Sequence, residues 1–503
     1  MPFARLHENL CSWLVSSRDG DGRLRDRVHG HRGSYAEGWS ALALGLLPNP
    51  SSDCNRAFDS ALAHSARQPV SSEFDSLAQQ LLLEAAPGRL SPSQKGLLDS
   101  RPKGNPAGLV SNNWVILRGL TWGLRYARSR NPEHLAETLK AMQPLKRQLP
   151  SGLFPDSPYG QATPVCYHAK ICACLALLTR LCPPETWEPF VKPLRLGLDA
   201  LQWLVSPQGR LVPYGRSRNS LFAYASASLA LAVGAGFFSN PRYLESAKAL
   251  AQHLLLYQRG DGHIPAVLND QEWLREDWDV YINNPDYNAY AAGCLGLIAQ
   301  LATPPAPARP EPDEPYRDLG PIWVWRQSGA YWAVSTTGEF APEGTPFFSD
   351  HRYAALQPLL YEHGVQMQEF ATPYCWDGRD HTRTCLSDPR FHPWTPFCIE
   401  RSRLFWTPFA HQVSIQPTHN DEGELESVTF ELEASPMHLR PLAGWERVLY
   451  RMSGRVPQYR CSTLDTRLTS QLNLRARPGQ IRKSAQLSNP HRCLHNAEKV
   501  WQL

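Results

Sequence analysis

Residues 209–238 read GRLVPYGRSRNSLFAYASASLALAVGAGFF. A glycine turn with an apolar residue and a proline (Gly209-Arg210-Leu211-Val212-Pro213) leads to a polar cluster (Arg216-Ser217-Arg218-Asn219) and then to a small and apolar run of helical periodicity. The glycine, apolar and proline signature recurs as Gly152-Leu153-Phe154-Pro155 and Gly262-His263-Ile264-Pro265, with the glycines 57 and 53 residues apart. Two helices of about 12 to 18 residues plus connections fill that interval, so each unit is a helical hairpin. Helical periodicity also covers 114–126, 169–181, 243–257 and 289–301. Hairpins repeating around a closed ring make an α/α toroid, whose inner helices present one set of ends to a common cleft. An open solenoid is the other arrangement of such a repeat; only about five units fit, which favours closure.

Residues 303–315 (TPPAPARPEPDEP) hold six prolines, which neither continue a helix nor pair inside a sheet. Beyond them come short β-branched and aromatic runs at 322–325, 331–335, 412–415 and 427–432. The expected fold class is therefore α+β multidomain: an N-terminal (α/α) toroid followed by a C-terminal antiparallel β-sandwich. The toroid domain takes 1–302, its ring starting near residue 30 after an N-terminal helical stretch; 303–316 is the linker, 317–480 the sandwich, and 481–503 an irregular tail with Arg482, Lys483, Arg492 and Lys499.

The chain has 503 residues, 42% hydrophobic and 19% charged, enough for two or three domains with cores of their own. A net charge of +4 provides no basic field, so neither nucleic acid nor a membrane is an expected partner. No apolar run approaches the roughly 20 residues of a membrane span. Arg5, His7 and Glu8 interrupt the first residues, so no secretory leader is read and a cytoplasmic location is expected. The twelve cysteines lack paired knuckles and read mainly as buried thiols, with Cys172 and Cys174 pointing different ways on one helix. Sixteen tryptophans suit either a core or grooves on which sugar rings stack. Nothing in the sequence sets an oligomeric state.

Polar and aromatic clusters open the inner helices: Asn112-Asn113-Trp114, Tyr167-His168, 216–219, and Asn283-Asn284-Pro285-Asp286-Tyr287-Asn288. Singly, each has a structural explanation as a helix cap, a satisfied core group or an ion pair, Arg216 and Arg218 with Glu276, Asp277 or Asp279. Their recurrence at matching places in the repeat points instead to one site. These residue types suit β-elimination from a uronate. An asparagine amide and an arginine stabilise the charge that builds on the carboxylate, and a tyrosine, alone or beside a histidine, serves as base or acid. A hydrolase needs two carboxyl groups, for which Asp156, Asp277, Asp279 and Asp286 are available. A non-catalytic glycan-binding protein is the third possibility. If Arg216 and Arg218 face the cleft at the head of an inner helix, the glycan is acidic.

The order Asn113-Trp114, then Gly152-Leu-Phe-Pro-Asp-Ser-Pro158, then Tyr167-His168 resembles the heparinase II/III-like polysaccharide lyases in residue type and separation. NNWVILRGL, GRLVPYGRSRNSLFAYASASLALA and WDVYINNPDYNAYAA resemble a related bacterial family of unknown function, over roughly residues 105–300. The resemblance implies a lyase in which Asn113 neutralises the uronate carboxylate, Tyr167 is the catalytic acid and also a candidate base, and His351 or His363 from the β-domain is the partner base. The family's H-G-H-A-D-type run is missing, and Asp350, His351, His363, His381 and His392 are too irregularly spaced for a metal, so no metal and no cofactor are expected. The expected site is thus Asn113, Tyr167, His168, Arg216 and His351 for catalysis. Asn112, Trp114, Arg218, Asn284, Tyr287 and Asn288 surround an acidic polysaccharide or oligosaccharide substrate.

Overall fold

The computed structural model describes residues 2–25, 33, 35–67, 73–100, 111–156, 163–215, 217–268, 284–306, 314–327, 329–336, 356–364, 366–369, 397–400, 403–406, 412–421, 425–434, 437–441, 459–463, 468–475, 480–487 and 498–502. The chain divides into two compact units, one of residues 1–154, 165–211 and 217–310, the other of 155–164, 212–216 and 311–503.

The first unit is helical. Among the described residues, outer and inner helices alternate: α1 (Pro2–Ser16), α2 (Ala36–Gly45), α3 (Ser52–Arg67), α4 (Glu73–Ala85), α5 (Pro92–Ser100), α6 (Asn112–Ser129), α7 (Pro132–Met142), α8 (Val165–Leu181), α9 (Val191–Trp203), α10 (Leu221–Phe238), α11 (Pro241–Tyr257) and α12 (Asn284–Leu301). The even-numbered helices pack side by side in chain order, and α12 packs back on α2, closing an α/α ring. Helix α1 packs on α12, α11 and α3. It is therefore an outer member of the ring, not a stretch preceding it, and the ring has six outer and inner pairs rather than about five.

Local chemistry sets the boundaries. Outer helices α7 and α11 begin with Asn-Pro, in which Asn131 and Asn240 accept N–H bonds from Glu133 and Arg242 at 3.0 and 3.1 Å while the proline takes the first helical position. Inner helix α10 starts on Ser220, whose hydroxyl caps the Ala223 N–H at 3.2 Å. It is apolar all round because it is buried all round, as an inner ring helix must be. By length and hydropathy alone α10 would also suffice to cross a membrane, yet 83% of it is buried within the fold.

The glycine signature is a tight turn used four times. The N–H groups of Gly22, Gly152, Gly209 and Gly262 each bond the carbonyl three residues back at 2.9 Å, and the return bonds at Asp19, Leu149, Ser206 and Arg259 measure 2.8–2.9 Å. All four glycines have positive φ, between 74° and 98°. A Cβ would collide with the backbone carbonyl of Leu196 at Gly152, of Ala249 at Gly209 and of Asn9 at Gly262, so each turn lies flat on the next outer helix. The last of these contacts, from the turn after α11 onto α1, is another closure of the ring.

Two residues beyond each glycine, a buried apolar N–H is clamped by a side chain of the following inner helix. Leu24 bonds Glu37 at 2.9 Å, Phe154 bonds His168 at 3.2 Å, Leu211 bonds Tyr224 at 3.1 Å, and Ile264 bonds Asn288 at 2.9 Å. Four different side chains perform one task, satisfying a backbone donor that would otherwise be buried unpaired.

The second unit carries antiparallel sheets. Strands β1 (Tyr316–Asp318), β2 (Ile322–Gln327), β3 (Ala330–Ser335), β4 (Gln357–His363) and β5 (Gln366–Glu369) form a meander. Strands β6 (Phe397–Glu400), β7 (Arg403–Trp406), β8 (Gln412–His419), β9 (Leu425–Ala434), β10 (Met437–Pro441), β11 (Tyr459–Thr463), β12 (Leu468–Arg475), β13 (Gln480–Leu487) and β14 (Glu498–Gln502) follow. They make a four-stranded sheet β11-β10-β7-β6 and a five-stranded sheet β14-β13-β12-β9-β8. Trp323, Trp325, Trp332 and Tyr361 of the meander share one core with Val428, Phe430, Leu472 and Leu474, Trp323 meeting Phe430 edge-on at 5.3 Å. The expected irregular tail is corrected: 480–487 and 498–502 pair as strands, Ile481 opposite Trp501. Lysine at 483 occupies an alternate position between Ile481 and Ala485 and hides the period of two.

Candidate active site

All inner helices run the same way, because each is reached from an outer one, so their N-termini share one end of the ring. Aligning the repeats on the clamping side chains Glu37, His168, Tyr224 and Asn288 places Trp39, Lys170, Ser226 and Tyr290 at equivalent positions two residues later. These face the bore rather than the outer layer. Phe222 stacks on Tyr290 at 4.2 Å between ring centroids, Trp39 tilts against Tyr290 at 4.5 Å, and Tyr35 stacks on Phe74 at 4.5 Å. Trp114 meets Phe74 edge-on at 6.1 Å, and Tyr287 tilts against Phe222 at 5.6 Å. Helices α4, α6, α10 and α12, with Tyr35 and Trp39 at α2, thus line the bore with aromatic rings.

Helix α8 contributes a cation instead. The Lys170 ammonium is fully buried, 3.6 Å from the centroid of Phe74 and 5.1 Å from that of Phe222, and donates to Asn113 Oδ1 at 3.2 Å. Asn113 Nδ2 in turn donates to Ser111 Oγ, at the N-terminal end of α6. A desolvated ammonium over an aromatic face gains about 2 kcal/mol from the ring quadrupole. One turn earlier on the same face of α8, the half-buried Tyr167 has its hydroxyl 3.2 Å from Ser217 Oγ.

Ser217 and Asn219 both hold left-handed φ of 55°, costing about 1 kcal/mol or more for a non-glycine residue. They are pinned by the Leu268 N–H bond to the Asn219 carbonyl at 2.6 Å and by the Ser220–Val267 bridge. The Ser217 hydroxyl carried by this turn is the one that meets Tyr167.

Two carboxylates share this end. Asp286 Oδ1 accepts the Tyr35 N–H at 2.9 Å, and burial, followed by the charge of Asp286, the Tyr167 phenol, Cys166 and Asp75, holds the Tyr35 phenol well above its ordinary range. Tyr35 is therefore a neutral hydrogen-bonding group near neutral pH. Burial raises the Cys174 thiol to about 12 against the opposing pull of Lys170, and Cys172, on the other side of α8, is raised beyond that range. Both are free and inert as nucleophiles.

Of the residues expected at the site, Asn113, Trp114, Tyr167 and Tyr287 lie at this end of the ring. Asn112 is fully buried beside them and Arg218 is buried in the segment ahead of α10. Three of the expected residues bond backbone groups. His168 accepts the Phe154 N–H on Nδ1 and directs Nε2 at the Gly197 carbonyl at 3.0 Å, so both nitrogens are committed to backbone and burial lowers its pKa to about 4. Asn288 holds both the N–H and the carbonyl of Ile264, each at 2.9 Å, and also reaches the Asn284 carbonyl. Asn284 Oδ1 accepts the Ala266 N–H at 3.2 Å. These bonds hold the turns that lead into α8 and α12.

Arg216, His351, Asp277, Asp279, Asp350, His381 and His392 lie outside the described residues. His363, at the end of β4, and the buried Asp156 belong to the second unit. Sequence reasoning missed Lys170, Asp75, Tyr35 and Phe74. A lysine inside an otherwise apolar helical run (VCYHAKICACLALL) was the available signal for the first.

No family model matches the chain, and no curated protein does. Among solved structures it is similar to a glycosyl hydrolase of family 88 from Bacteroides vulgatus, with TM-score 0.43 and 10% identity over 59% of this chain and 99% of that one. A polysaccharide lyase matches with TM-score 0.43 and 12% identity over 59% and 98%. A type II terpene cyclase from Scytonema matches with TM-score 0.38 and 15% identity over 60% and 99%. No residue role is carried over from them.

Proposed function

We propose that the chain is a polysaccharide or oligosaccharide lyase that cleaves a uronate-containing glycan by β-elimination, a heparinase II/III-like arrangement of α/α toroid and β-sandwich. One observation carries this reading: Asn113, backed by the Lys170 ammonium, and Tyr167, one helical turn from that lysine, stand at the same end of the ring. The amide and the charge behind it favour a substrate carboxylate whose neighbouring carbon is losing a proton. As that C–H bond breaks, its proton passes to the Tyr167 oxygen, deprotonated at the start of the step, and its electrons form the new ring double bond; the glycosidic C–O bond breaks, and the departing oxygen takes the proton that Tyr167 has just received, which restores the phenolate. The Tyr167 hydroxyl is the proton-carrying group within this set.

A second reading is favoured by a different observation. Asp286 bonds the Tyr35 N–H, and Asp75 and Asp286 both stand in the first turns of inner helices, so these are the two carboxylates a hydrolase would use. Incubating the protein with a panel of uronate polymers separates the two. The lyase releases an unsaturated product that absorbs in the near ultraviolet, and Tyr167→Phe abolishes it. New reducing ends without that absorbance, lost in Asp286→Asn, would assign the carboxylates instead, and binding without cleavage would make the protein a glycan binder.

A further inference from the structure

The position two residues after the clamping side chain is filled by Trp39, Ser226 and Tyr290 in three repeats, all able to sit in an apolar bore. In the fourth it is Lys170, fully buried. Burying an ammonium costs several kcal/mol, and a well-packed hydrophobe in its place is often neutral or stabilising. Packing of the ring therefore does not explain a lysine here.

Its surroundings do. The ammonium can only donate, so the Asn113 atom facing it at 3.2 Å is the carbonyl oxygen, and the NH2 group is directed at Ser111, toward the end of the ring where the inner helices begin. The faces of Phe74 and Phe222 hold the ammonium from the other sides. A compact point charge suits that cage, whereas a planar guanidinium is a different shape.

We infer that Lys170 is a positioning residue: it locks the Asn113 amide with its NH2 edge toward the ring end and places a fixed positive charge behind it, so that Asn113 receives the carboxylate of an acidic sugar. The part concerning the acidic sugar rests on the elimination reading above; the orientation of the amide does not. Lys170 acts through Asn113 and does not itself transfer a proton.

Lys170→Met keeps the length of the side chain and removes the charge. The thermal midpoint of the full chain should stay the same or rise, as expected of a buried charge that packing does not require. With asparagine labelled in 15N, the Asn113 side-chain amide resonances, identified by their loss in Asn113→Ala, should shift in Lys170→Met. On whichever uronate polymer the wild type cleaves, kcat should fall about a hundredfold, the scale of a misplaced catalytic group. The double variant should be no slower than Asn113→Ala alone. A purely structural lysine would lower the midpoint and multiply its loss with that of Asn113→Ala, which would overturn the assignment, as would unchanged Asn113 resonances. Should no polymer be cleaved, the elimination reading fails while the amide resonances still decide the role of Lys170. If Lys170→Met does not fold, Phe74→Leu loosens the same cage: a smaller shift of the same resonances supports the assignment, and no shift overturns it.

Discussion

The two faces of the first turns of α8 carry neighbouring polar residues with opposite work. Toward the outer layer, His168 is tied at both nitrogens to backbone, Phe154 on one side and Gly197 on the other. Toward the bore, Tyr167 and Lys170 reach Ser217 and Asn113, side chain to side chain. The same division runs round the ring, with Glu37, Tyr224 and Asn288 clamping turns while Trp39, Ser226 and Tyr290 line the bore. Recurrence at matching places in a repeat is thus a mark of the scaffold. Departure from the repeat, as at Lys170, is the better mark of a site.

The largest expected effect is on the scaffold. Gly209→Ala adds a Cβ at φ 79° against the Ala249 carbonyl, and the strain and displacement together should cost about 3–5 kcal/mol, read as the shift of a urea unfolding midpoint. A cost below about 1 kcal/mol would mean that the turns do not fix the outer layer. On the bore side, Tyr167→Phe should leave that midpoint unchanged and lower turnover at least about a hundredfold, the scale of a missing general acid or base. Full activity would move the chemistry to Asp75 and Asp286.

The clamp face also has a pH signature. Burial holds the His168 pKa at about 4, below the ordinary 6.5, so the unfolded chain binds the proton more readily than the folded one. Stability contributed by neutral His168 is complete above about pH 6.5, falls with pH, and is lost by about pH 4. The loss comes to about 2 kcal/mol at pH ~5. Comparing wild type with His168→Gln, which still carries an acceptor for Phe154, should show a flatter pH dependence in the variant. Identical profiles would mean that His168 is not held neutral.

How much of this was legible in sequence follows from which interactions are local. The turns at 152, 209 and 262 were readable because a glycine at positive φ, an apolar residue and a proline are consecutive letters. The fourth, Gly22-Arg23-Leu24, has no proline and was missed, although only the glycine and the clamped N–H are mechanically needed. Helices α6, α8 and α12 begin before the apolar runs that announced them, because their polar first turns resemble loop clusters. His168 and Asn288 looked functional for the same reason, since the backbone groups that use them lie 14 and 24 residues away. Lys170 stood out only as a charge in an apolar run; its cage is assembled by Phe74 and Phe222, from helices far apart in the chain, and that part had no local signal.

The smallest expected effect is the sharpest control on the comparison. Tyr224→Phe deletes the same atom as Tyr167→Phe, one phenolic oxygen, but on the clamp face. There the hydroxyl accepts the buried Leu211 N–H at 3.1 Å, and the ring lies against His253 at 5.5 Å, a packing contact that phenylalanine retains. The deleted oxygen leaves a backbone donor without this acceptor in a buried turn, at a cost of about 1–2 kcal/mol. Leu211 and His253 belong to the clamp face, not to the Asn113–Lys170 set, so turnover per folded molecule should stay at the wild-type value. Paired with Tyr167→Phe, the prediction is a crossed result: one tyrosine moves the unfolding midpoint and not the rate, the other the rate and not the midpoint. If both variants moved the same observable, the division of each inner helix into a clamping face and a chemical face would not hold.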